Sequence, residues 1–222
     1  MSVTSKQAQT LLTRYLVQLS AHPLRTKAAT SGVLLFIQEV LASHLAGVPS
    51  PRPPKDAPAV SHVLARAKVD AKALKMALYG ILISAPLGHV LVGRLQKAFA
   101  GKTGTGAKVA QILASNLLIA PIQTTVYLAS IAVINGAKSV DDVIRTIKGG
   151  FFAVMRITWI TSPLAMVAAQ KFIPPELWVP FFNLVSFVMG TYFTTKVKMM
   201  HMSEERKKAK AKETSEATGK AQ

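Results

Sequence analysis

Apolar residues gather along this chain into five long runs, at 28–46, 76–92, 109–134, 149–169 and 177–193, while most charged residues lie between and beyond them. Each run reaches or approaches the ~20 apolar residues that a helix needs to cross a ~30 Å hydrocarbon core. Backbone in lipid must satisfy its own polar groups, so runs of this length predict helices. The run 109–134 is the longest, 26 residues without a formal charge. Gln38 and Glu39 interrupt the first run, and Arg156 interrupts the fourth.

The segments around the runs have their own patterns. Residues 1–27 carry Lys6, Arg14, Arg25 and Lys27 with no acid, and Leu11, Leu12, Tyr15, Leu16 and Leu19 recur at helical spacing before Pro23. That pattern predicts an amphipathic helix on the membrane surface. Its lack of acids among many Ser and Thr also resembles a mitochondrial presequence, and no secretory signal is expected, since the first long apolar run starts only near Ala28. Pro49, Pro51, Pro53, Pro54 and Pro58 predict an extended linker over 47–62. Gly80, Ser84 and Gly88 fall at four-residue spacing, the small-residue pattern that lets helix backbones approach closely in lipid. Ser139 with Asp142 three residues later predicts a capping box opening a short amphipathic helix through Val143, Ile144 and Ile147. The tail from Lys196 holds eight Lys or Arg among acids and too little apolar matter to fold, so it is expected to be disordered.

These elements predict an all-α integral membrane bundle with four spanning helices, five if the Arg156 segment also crosses, plus short amphipathic surface helices. Three regions follow: an N-terminal amphipathic segment (1–27), a transmembrane bundle (28–195) and a charged tail (196–222). An arginine at a helix centre costs about 2.5–3.5 kcal/mol on insertion scales. Leaving that segment out puts both chain ends on one side. That side then holds 16 Lys or Arg (four N-terminal, four in 94–108, eight in the tail) against 11 on the other. The excess of basic residues favours cytosolic ends.

Charge and composition narrow the function. The net charge is +17, but the basic residues flank apolar runs instead of forming a patch beside a reading helix, which argues against nucleic acid. With no cysteine, disulfides, thiolate metal sites and a cysteine nucleophile are excluded. Five histidines show no pair at metal-ligand spacing, so neither a metal nor a cofactor is expected. The loop AGKTGTGA, 100–107, is no P-loop: Gln96 stands where the motif needs Gly. No Ser/His/Asp constellation or catalytic carboxylate pair appears, so the chain is not expected to be an enzyme.

Several stretches resemble one family, the small membrane proteins of peroxisomes and the mitochondrial inner membrane typified by the 22-kilodalton peroxisomal membrane protein. RYLVQLSAHPLRTKAATSGVL (14–34) is similar to its Tyr-Leu helix, Pro, Thr-Lys-Ala pattern. KMALYGILISAPLGH (75–89) resembles its Tyr-Gly…Gly-Pro-x-x-His element, and GGFFAVMRITWITSPL (149–164) with Ile173-Pro174 resembles its C-terminal signature. Lys108, Gln111 and Pro121 fall where the family tends to have Lys, Asp-Gln and Pro. Ala85 departs from the Gly before Pro86, Ala110 from the Asp before Gln111, and Ser162 from a Trp. The resemblance runs from about 14 to about 195. It implies a four-span protein of the peroxisomal membrane, with the mitochondrial inner membrane as the alternative. It also implies pore-like permeation of small solutes and a peroxisomal membrane-protein import receptor as partner, served by Arg25 and Lys27. Some fungal relatives organise or sort peroxisomal bodies, which gives a tethering alternative without transport.

Polar side chains inside the runs are the candidate site. Glu39, His89, Gln111, Asn116, Gln123, Arg156 and Asn183 either line an aqueous path or pair as glue between helices. Glu39 and Arg156 are the opposite charges of this set, and an ion pair between the first and fourth runs is one expectation. A bundle this small suggests that a pore would need several copies, making a homo-oligomer in the bilayer a plausible partner arrangement.

Overall fold

The computed structural model describes residues 3–49, 58, 64–102, 104–174 and 177–219, and the expected linker falls mostly outside them. Helix α1 (Val3–Ala21) is followed at once by α2 (Pro23–Leu45). Pro23 suits the first turn of a helix, where its missing N–H is no loss. The Thr26 hydroxyl donates to the carbonyls of Gln18 at 3.0 Å and His22 at 2.9 Å, stitching α1 to the first turn of α2.

Two bent helices come next. Helix α3 (Ala71–Tyr79) passes through a π-helical turn (Gly80–Ser84) into α4 (Ala85–Ala98), and α5 (Thr105–Ala114) passes through another (Ser115–Ile119) into α6 (Ala120–Ile134). Both turns end at an Ala-Pro pair, Ala85-Pro86 and Ala120-Pro121. A proline offers no N–H, so the ladder slips to five-residue spacing, with Ala85 N–H donating to Gly80 O and Ala120 N–H to Ser115 O. At that spacing Asn116 O would face Pro121. The Trp159 indole supplies the missing donor at 3.0 Å.

Helix α7 (Val140–Phe172) opens on the expected capping box. Asp142 N–H donates to Ser139 Oγ, and Asp142 Oδ2 accepts from Ser139 N–H, both at 3.2 Å. The expected short amphipathic helix does not stop, however. It continues through the fourth apolar run as a single helix of 33 residues. The Ser139 hydroxyl, then the backbone amides of Lys138 and Ser139, hold the Asp142 carboxyl below the usual carboxylate range. Because the folded-state pKa is depressed, this stabilisation is present above the ordinary value near ~4 and is lost as pH falls through the lowered one. Ser139→Ala is expected to cost about 1 kcal/mol. It should raise hydrogen exchange over 140–143, and Asp142→Asn should flatten the acid dependence of that exchange.

Helix α8 (Trp178–Gly219) corrects the expectation of a disordered tail, for the chain stays helical from the last apolar run to Gly219. The charged half inherits a helix already nucleated in the bundle, so each added residue gains a hydrogen bond without a nucleation cost. Its Ala, Lys and Glu are strong helix formers.

Among the described residues, four helical stretches are long and apolar enough to cross a membrane: Pro23–Leu45, Ala71–Ala98, Val109–Ile134 and Val140–Phe172. The Arg156 segment is therefore among the four. The α8 run is not among them, being diluted by Asn183, Gly190, Tyr192 and the three threonines Thr191, Thr194 and Thr195. Neighbouring passes pack antiparallel, α2 on α3 and α6 on α7, while α8 returns beside α2. Along that seam Gly190 and Thr194 meet Gln38, and Lys198 meets Glu39 and Ser43, so α8 runs in the same direction as α2. Its charged half thus leaves the bundle at the end where α2 finishes. Packing relies on small residues: Ala42, Ala73 and Ala169 are 0% exposed. Leu82, Leu118, Leu164 and Leu184 are 60–66% exposed, an arrangement suited to a lipid surround.

Candidate functional site

The interior holds two polar features, one above the other. The first is a charge cluster on α2, α3 and α8. Glu39 is only 2% exposed; its Oε1 lies 2.6 Å from Lys198 Nζ and 3.6 Å from Lys72 Nζ. The Lys198 ammonium aims its hydrogen bonds at Ser43 Oγ and the Glu39 carbonyl, so the carboxylate is held as a close charge contact, without a well-aligned hydrogen bond of its own. Asp70 caps α3 by accepting from Ala73 N–H at 2.9 Å, which fixes the turn that carries Lys72.

The expected Glu39–Arg156 pair does not form. Arg156 is exposed, next to Met155, which is 0% exposed against the neighbouring helices. Successive residues on an α-helix diverge by about 100°, so burying Met155 turns Arg156 outward. Arg156 is therefore no interior residue.

The second feature is a cavity of about 710 Å³ bounded by α2, the α5–α6 arm, α7 and α8. Asn116 and Gln123 line it. The other sequence candidates do not: Glu39 sits in the charge cluster, while His89, Gln111 and Asn183 are half-buried elsewhere. Sequence reasoning passed over Gln38, Ser115, Tyr127, Thr158, Ser162 and Ser186, which share the wall with apolar side chains such as Ile157 and Phe182. Hydroxyl residues are common in spanning helices, and only the helical phase shows which ones face inward.

Part of the polar lining is already occupied. Asn116 Nδ2 donates to Ile112 O at 3.0 Å, the Thr158 hydroxyl to Val154 O at 3.0 Å, and Gln38 Nε2 to Thr194 Oγ1 at 3.3 Å. Of the three small residues expected at a packing seam, Gly80 is buried against α2, Gly88 faces Gln123, and Ser84 is half-buried. Among the described residues, no group of His, Cys, Asp and Glu is placed to hold a metal ion.

Comparison with known proteins gives a consistent set of relatives. The Mpv17/PMP22 family matches residues 132–194. A Woronin body membrane protein of Aspergillus fumigatus is 50% identical over 92% of this chain and 85% of its own length. A Woronin sorting complex protein of Neurospora crassa is 46% identical over 89% of this chain, which spans only 60% of that relative. A peroxisomal membrane protein of Arabidopsis thaliana is 27% identical over 90% of this chain and 96% of its own length. No solved structure matches the chain.

Proposed function

The chain belongs to the Mpv17/PMP22 family, and from that premise we propose that it is an organiser of the peroxisomal membrane, anchored by its bundle and presenting its C-terminal helix to protein partners. One observation carries this reading: α8 runs unbroken from its seam with α2 to Gly219, so the basic arm continues directly from the membrane core. The two Woronin relatives, named for a body and a sorting complex, support it. Charge does too. Sorted by the direction of α8, the end bearing the arm carries 17 Lys or Arg in 47–75, 135–148 and 196–222, against nine at the other end. The more basic end faces the cytosol. The reading assigns no catalytic activity.

Ending the chain at Met202 tests it. The shortened protein is expected to insert into peroxisomes normally while their clustering and distribution change, as seen by fluorescence microscopy. An unchanged distribution would sink the proposal. Targeting is a separate step, in which Arg25 and Lys27 beside the first span engage an import receptor, and replacing both with Ala should leave the chain in other membranes.

The cavity favours a second reading, a relatively non-selective path for small solutes, formed by one copy or by several. Purified protein in liposomes would then pass solutes up to a size cutoff that shifts when Asn116 or Gln123 is changed. Inserted, folded protein that passes none excludes it.

A further inference from the structure

The cavity has features that a water-filled path does not need. Among the described residues its wall includes no charged side chain, and one donor each of Gln38, Asn116 and Thr158 is spent on the protein itself. It is elongated, following α7 from Val154 to Met166, about 18 Å at 1.5 Å per residue. That is close to the depth of one leaflet, half of a ~30 Å hydrocarbon core. Its volume of about 710 Å³ is several times the ~150 Å³ that admits one benzene.

The two ends differ chemically. Gln38, Tyr127 and Phe193 mark one end, with the Glu39–Lys198 contact just beyond. Val92, Ile112, Met166 and Phe182 mark the other. Within two turns of them stand Arg94, Lys97 and Lys171, all exposed, and Lys108 precedes Ile112 by one turn. The segments at this end, 1–27, 94–108 and 171–177, hold nine Lys or Arg and one acid, Glu176.

We infer that the cavity holds one acyl chain of an anionic glycerophospholipid, with its phosphate among the basic residues near Val92, Ile112, Met166 and Phe182. An uncharged, leaflet-deep slot fits a hydrocarbon chain, and basic residues at a membrane surface each attract an anionic headgroup. A chain seated there fills the space between α2, α7 and α8, and joins the last helix to the rest of the bundle.

The test uses the full chain purified in mild detergent, with dioleoyl phosphatidic acid, dioleoyl phosphatidylcholine and oleate as probes. Native mass spectrometry and thermal unfolding are the readouts. One phosphatidic acid per chain is expected to survive detergent exchange and raise the melting temperature, with phosphatidylcholine retained about tenfold less. Ser162→Phe with Ser186→Phe, which fills the slot, should abolish retention while circular dichroism stays helical. Undiminished retention in that variant overturns the inference. Should it fail to fold, Arg94→Gln with Lys97→Gln decides: phosphatidic acid retention should drop about tenfold with phosphatidylcholine unchanged, and undiminished retention overturns the inference. Oleate bound more tightly than phosphatidic acid would also overturn it, because the phosphate would then contribute nothing.

Discussion

Lys198→Met is expected to cost the bundle about 3–5 kcal/mol, the usual penalty for removing one partner of a buried ion pair. Glu39 would be left 2% exposed with only Lys72 at 3.6 Å, and Lys72 is itself 30% exposed to surroundings that weaken the contact. Denaturation of the purified protein in detergent micelles measures the loss. Changing both partners, Glu39→Gln with Lys198→Met, removes the stranded charge and should recover most of the stability, since an apolar or neutral pair is often no worse than a buried ionic one. Arg156→Gln should do little, because that side chain faces outward. If Lys198→Met proves as stable as the parent, the cluster does not hold α8 to α2.

The second large effect is at Gly80. A Cβ at this position would lie 2.8 Å from Ser31 O and 2.9 Å from Gly32 N, and both are backbone atoms of α2 that cannot rotate away. Gly80→Ala should therefore force α2 and the π turn apart, at about 1–3 kcal/mol. Other glycines on the same arm give the control. At Gly88 the added Cβ meets only Gln123 Nε2 at 3.2 Å, the end of a flexible side chain, and at Gly93 nothing lies within 4 Å. Gly93→Ala should even gain a few tenths of a kcal/mol, because alanine loses less backbone entropy in a helix. Melting temperatures in the order Gly93→Ala, Gly88→Ala, Gly80→Ala, highest first, would fit. Equal values would mean that the seam is not a close backbone contact.

Much of the architecture is legible in the sequence because lipid enforces it. Each apolar run had to be a helix, and the Ser139–Asp142 spacing marks the start of α7 to the residue. Other features depend on geometry that spacing does not carry. Glu39 and Arg156 looked like partners on charge alone, but burial of Met155 decides which way Arg156 faces. Lys198 lies in a segment that reads as solvated, and only the direction in which α8 returns along α2 brings its ammonium to Glu39. Asn116 and Gln123 stand out as polar residues in an apolar run, whereas Ser162 and Ser186 look like ordinary members of spanning helices. The fate of the tail is a question of cooperativity, since a sequence too polar to nucleate a helix can still extend one.

The Glu39–Lys198 contact also has a meaning in time. The ribosome makes the carboxylate 159 residues before the ammonium, a delay of about 8–32 s at 5–20 residues per second. Lys72 emerges within a few seconds, but it is the weaker neighbour. Until Lys198 is made, the first spanning helix carries an acid whose only partner at hand is Lys72, the more distant of its two cations. The closest charge contact of the bundle, between its first and last helices, can therefore form only once nearly the whole chain has been made.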